Sequence, residues 1–127
     1  MDTQHEHLIR LAAALEEIEA AAGDNVERSL EIQRRARDLR AGLASGVSLV
    51  DHVRDEPRPL MVELVTANMA ALETAGAKLR AAQAAALRAE GLTIEAIAEL
   101  FGVTRQRISA LLKHCLLYTS PSPRDRS

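Results

Sequence analysis

The 127-residue chain has no tryptophan, and tyrosine, phenylalanine and cysteine occur once each, alongside four prolines and six glycines. So few aromatics argue against a sheet, because such side chains fill the pleated, half-buried surface of strands. No apolar run approaches the roughly 18 residues of a membrane span. The opening MDTQHEHLIR has no basic-then-apolar signal pattern, so a cytoplasmic location is expected. No glycine-rich phosphate loop, metal-ligand cluster or nucleophilic triad signature occurs, so no enzyme, cofactor or small-molecule ligand is expected. His5 and His7 are two residues apart and would face different ways on a helix, which argues against a metal pair. What the chain does have is alanine and leucine, which dominate its 47% of hydrophobic residues. Both enter helices at little cost, so the expected fold class is all-α with a lean core, about one domain in size. Arginine outnumbers lysine fourteen to two, which with the alanine richness is the texture of a GC-rich bacterial genome.

The last thirteen residues, CLLYTSPSPRDRS, abandon that texture and hold the only cysteine, the only tyrosine and two of the four prolines. The first eleven, CLLYTSPSPRD, resemble residue for residue the translation of a transposase-based sequencing adapter, whose first base would complete the codon of His114. Residues 115–127 are therefore expected to be a non-native tail, and Cys115 then says nothing about redox compartment.

Apolar spacing marks the helices in the remainder. Leu8, Leu11, Leu15, Ile18 and Ala22 fall on one helical stripe, and Gly23-Asp24-Asn25 then signals a break. Asp24 or Asn25 can cap a second helix bearing Ile32, Ala36, Leu39 and Leu43, ending near Gly42 to Gly46. The two would pack as an antiparallel hairpin. GVSLVDHVRDEPRPL then connects with at most one short helical turn, since Pro57 and Pro59 disfavour helix in the residues before them. Pro59 suits the first turn of a long helix, along which Met61, Val65, Asn68, Leu72, Ala75, Leu79, Ala82 and Ala86 make a near-heptad seam. A seam of this kind calls for a partner. Asn68 reads as a partly solvated residue rather than a buried register-setter, and QRRARDLR at 33–40 as a salt-bridged solvated face.

Beyond Gly91 the pattern changes. Thr93 can cap a helix from Ile94 to Phe101 in which Ile97, Ala98 and Phe101 face inward, with Ala98 small enough for a close helix crossing. Gly102 supplies a turn, Val103 would pack into its angle, and Thr104 caps a last helix whose Ile108, Leu111 and Leu112 return to the core. Arg105, Gln106, Ser109 and Lys113 are then left on or near the outward side, with Arg107 at its edge. These residues resemble the helix-turn-helix of bacterial regulators, in particular those of sigma-factor promoter-recognition domains and of resolvase C-terminal domains. The resemblance covers about residues 78–113 as a three-helix unit. It implies that the last helix lies in the major groove of double-stranded DNA with its N-terminal residues at base edges.

Arg105 can bond guanine bidentately and Gln106 adenine, while Thr93 and Thr104 at helix starts, with Arg107 and Lys113, suit phosphates. The overall charge of -2 hides a division. Residues 75–114 carry six basic and three acidic side chains, a net +3, whereas residues 1–74 carry eight and fourteen, a net -6. A reader of +3 binds weakly alone, so two copies on a palindromic site are expected. The expectation is thus a helical hairpin and linker over 1–58 for self-association, and a DNA-binding region over 59–114 with its motif at 93–113. Together these describe a small nucleoid-associated regulator of transcription acting as a homodimer. The alternative is a helical module that uses the same unit to contact a protein of the transcription machinery.

Overall fold

A computed structural model describes residues 3–119, with side chains as far as Lys113. Five helices are present, α1 (Thr3–Ala44), α2 (Leu49–Asp55), α3 (Met61–Ala89), α4 (Ile94–Phe101) and α5 (Arg105–Thr119), and there is no strand among the described residues. The all-α expectation therefore holds. Among the described residues no helix is long and apolar enough to cross a membrane. The adapter-like reading lies, from Ser120 on, outside the described residues. The chain forms two compact units, one of Met1–Ile18 with Ala75–Ser127 and one of Glu19–Thr74.

In the unit of residues 19–74, the break expected at Gly23-Asp24-Asn25 does not occur, and α1 runs through it. The side chain that was to cap a second helix is engaged elsewhere. Asn25 is buried, its Nδ2 donates to the Asn68 carbonyl at 3.1 Å, and its Oδ1 accepts from Arg28 Nη1 at 3.1 Å. Arg28 also donates to Asn68 Oδ1, and Asn68 Nδ2 to Ser29 Oγ, each at 3.1 Å. Asn68 is thus half-buried and fully bonded, holding the register of α3 against α1 within one chain. The two apolar stripes of the N-terminal region accordingly belong to one helix and do not fold back on each other. The antiparallel neighbour of α1 is α3: residue 25 meets residue 68, while Arg35 reaches the carbonyls of Pro57 at 3.0 Å and Pro59 at 2.5 Å.

Arg35 also corrects the reading of residues 33–40 as a solvated face. Its guanidinium is largely buried and bridges Glu31 at 2.8 Å and Glu56 at 3.2 Å, tying α1 to the connection ahead of α3. Arg34 stays outside and pairs with Glu31. Glu56 in turn accepts the first amide of α3, from Met61 at 2.5 Å. That backbone bond and the Arg35 guanidinium hold the Glu56 carboxyl below the usual carboxylate range. Hydrogen bonds from Arg34 and Arg35 do the same for Glu31, and the Glu31 bond raises Arg35 further.

Two further details differ from expectation. The connection holds two turns of helix, because Ser48 caps α2 by accepting from the Asp51 amide and only Glu56, extended before Pro57, ends it. Pro59 precedes the long helix; Leu60 is the residue whose carbonyl starts α3 and whose amide is capped by Glu63 at 2.7 Å.

The seam expected on α3 is largely buried, with Met61, Asn68, Ala75, Leu79, Ala82 and Ala86 all buried or half-buried, but it departs from expectation at two positions. Leu64 and Ala75 are buried and Ala71 half-buried, whereas Val65 and Leu72 stand at 41% exposure each. On α1 the inward positions are Leu11, Ala14, Ile18, Ala21, Asn25, Arg28, Ile32, Arg35 and Leu39, a strict heptad. Leu8, Leu15, Ala22, Ala36 and Leu43 of the expected stripes are exposed. Both helices carry apolar residues on two adjacent faces, so spacing alone could not choose between them.

In the other unit, Ala14 of α1 is buried and Glu17 pairs with Lys78 of α3 at 3.1 Å. Its main core joins Ala81, Ala84 and Ala85 of α3 to Ile97 and Ala98 of α4 and to Ile108 and Leu111 of α5. Ile97 and Ile108 are its largest fully buried side chains. The alanines leave little bulk on this face of α3 besides Leu87, which lets α4 and α5 lie close against it.

Candidate nucleic-acid interface

The turns around α4 are fixed by three local devices. At the end of α3 the amides of Gly91 and Leu92 return to the carbonyls of Arg88 and Leu87, with Gly91 at φ +107°. Arg88 Nη1 then holds the Leu92 carbonyl at 3.0 Å. Thr93 caps α4, its Oγ1 accepting from the Ala96 amide at 3.1 Å.

Gly102 ends α4 in the left-handed conformation, φ 68° and ψ 35°, with its own amide returned to Glu99 and that of Val103 to Ala98. A Cβ at Gly102 would meet nothing within 4 Å, so glycine is required here by backbone angle and not by crowding. Thr104 Oγ1 accepts from the Arg107 amide at 3.1 Å and starts α5. Both threonine hydroxyls accept from their own helices, which leaves each O–H free to donate outward.

With Ile108 and Leu111 buried, helical geometry turns the intervening residues away from the core. Arg105, Gln106, Ser109 and Lys113 line one open hollow of about 460 Å³ on the outer side of α5, together with Ala110. Four of the seven sequence-derived site residues thus meet on one surface. Ala110 was missed; its small side chain keeps the middle of that surface low. Thr93 and Thr104 lie at the starts of α4 and α5, apart from the hollow.

Arg107 is not with the others. It lines a second hollow of about 250 Å³ with Arg80, Gln83, Phe101, Val103 and Leu111. Val103, expected to fill the interhelical angle, is 41% exposed at that rim because the αL turn carries it outward. Arg80 and Gln83, three residues apart on α3, were concealed in sequence by the alanines around them.

Arg105 stands 4.0 Å from Glu95 of α4, and both side chains are well exposed. Arg80, Arg107 and Lys113 have no ionic partner among the described residues. The outer side of α5 therefore offers a planar five-donor fork, an amide that donates and accepts, a hydroxyl and an ammonium, a donor-rich set suited to anions and to base edges.

No curated protein and no solved structure matches the chain. Residues 76–115 do match a known family, the homeodomain-like domain, over the end of α3, all of α4 and the α5 surface described above. This similarity supports a helix-turn-helix unit of DNA-binding type at residues 76–115.

Proposed function

We propose that the chain is a sequence-specific double-stranded DNA-binding protein, a small bacterial regulator of transcription that acts as a homodimer. The observation that carries this reading is the convergence of Arg105, Gln106, Ser109 and Lys113 on one open surface of α5 in a homeodomain-like unit. In it, α5 enters the major groove, Arg105 and Gln106 address base edges, and Lys113 with the Thr93 and Thr104 hydroxyls holds phosphates. Arg107, on the other flank, adds phosphate attraction to an adjoining stretch of backbone.

The division of charge supports the same reading. The acidic residues 1–74 are repelled by DNA and belong to self-association, while residues 75–114, at six basic to three acidic side chains, approach it. A single copy neutralising about two phosphates, through Arg107 and Lys113, has a salt slope near -1.8, and two copies on a palindrome double it.

The test is capture of fragmented genomic DNA by the full chain and by Arg105→Ala/Gln106→Ala across a salt series. Enrichment of one palindromic sequence by the wild type alone is the expected result. Equal, feeble capture by both proteins refutes the reading in favour of a module that contacts a protein.

A further inference from the structure

On α3 the side chains of Val62, Val65, Met69 and Leu72 project away from α1, with exposures of 63, 41, 69 and 41%. Val26 of α1 follows Asn25, which points into the α1–α3 contact, and is itself 59% exposed. Helical geometry places Val26 on the same side of the pair as the α3 stripe, since Ser29, three residues further along α1, reaches Asn68 from that side. Together the five side chains expose on the order of 400 Å² of apolar surface, within the roughly 300–600 Å² of the largest patch on a typical monomer, a patch that is often functional. All of it lies in the unit of residues 19–74.

We propose that this face docks a second copy of the same chain, α3 against α3 in antiparallel orientation, about a two-fold axis near Ala67. The spacing 62, 65, 69, 72 reads the same in both directions, which is what an isologous contact demands. Val62 then meets Leu72 of the second copy, and Val65 meets Met69. Charge selects the direction. In the antiparallel register Glu63 is level with Ala71 and Glu73 with Met61, whereas parallel in-register pairing would set each glutamate beside its own copy. The five apolar residues supply roughly half of the 800 Å² per partner typical of a stable interface, and the polar neighbours Thr66 and Glu73 form its rim.

The inference deepens the dimeric part of the proposed function and does not depend on DNA binding. Sedimentation of the full chain over a concentration series tests it, beside Val65→Glu/Met69→Glu. The wild type is expected to be dimeric, and the variant at least about a hundredfold weaker in self-association with unchanged helical circular dichroism, since both positions face solvent in the single chain. In a Cys115→Ser background, chains carrying Val65→Cys mixed with chains carrying Met69→Cys are expected to cross-link on oxidation. A wild type that remains monomeric to about 100 μM, or a variant that still dimerises, overturns the proposal. So does self-cross-linking of Val62→Cys chains alone, which reports parallel pairing. A dimer that captures no DNA supports this face and sinks the reader; a monomer that captures a specific sequence overturns this face and leaves the reader standing.

Discussion

The same substitution, glycine to alanine, should act in opposite directions at Gly23 and Gly102. Gly23 lies inside α1, and an added Cβ there would meet nothing within 4 Å. Alanine restricts the unfolded chain and suits the helix, so Gly23→Ala should stabilise by about 0.5–1 kcal/mol. At Gly102 the space is equally empty but φ is +68°, and a Cβ there collides with its own backbone at a cost of about 1–2 kcal/mol. Part of that is offset by the lower entropy of the unfolded alanine chain, so a net loss of about 1 kcal/mol is expected. Urea unfolding followed by far-ultraviolet circular dichroism, at one fixed protein concentration, measures both changes. If Gly23→Ala destabilises, α1 bends or breaks at 23–25 and the continuous helix is wrong. If Gly102→Ala is neutral or stabilising, the left-handed turn between α4 and α5 is wrong.

Ile108→Ala empties the centre of the core shared by α3, α4 and α5 and should cost about 2–5 kcal/mol, read as a lower urea midpoint; a cost below about 1 kcal/mol would contradict its complete burial. Because the folded Glu31 and Glu56 carboxyls titrate below their usual range, what they contribute is complete above the ordinary carboxylate value and is lost as pH falls through the lowered ones. The stability gap between wild type and Arg35→Met should therefore be widest at neutral pH and shrink below about pH 4.5; a gap that stays constant into acid would disprove the Glu31–Arg35–Glu56 link. Glu95→Gln frees Arg105 and removes a negative charge from the proposed DNA face, so affinity for any duplex should rise a few-fold by filter binding; unchanged affinity would place Glu95 away from the DNA.

The helix-turn-helix unit was legible because its determinants are local. Thr93, Gly102 and Thr104 each act within about four residues, and capping hydroxyls and a left-handed glycine announce themselves in sequence. The outcome at residues 23–25 was not, since the same Asn25 that can cap a helix is drawn inward by Asn68, 43 positions away. Nor could spacing decide which α3 face is buried around residues 65 and 72. Leu64 and Ala71 compete with Val65 and Leu72 on equal terms until α1 is in place. On α5 the outward set, with Arg107 at its edge, was readable from Ile108 and Leu111, but the second hollow that Arg107 lines was not, because it depends on Arg80 and Phe101 from two other helices.

The alanine wall that α3 presents to α4 and α5 gives the helix-turn-helix unit an unusual mutational profile. A core built from Ala81, Ala84 and Ala85 has few atoms to lose, and alanine surrenders no rotamers when it is buried. Damage here comes from gain: nearly every single substitution at these positions adds volume where the helices already touch, and overpacking forces them apart. Selection on this face therefore acts as an upper limit on size. The pressure to keep bulk falls on the side chains across the interface, above all Ile97 of α4 and Ile108 and Leu111 of α5, so the placing of the α5 surface rests on a few large side chains held against an alanine-rich backing.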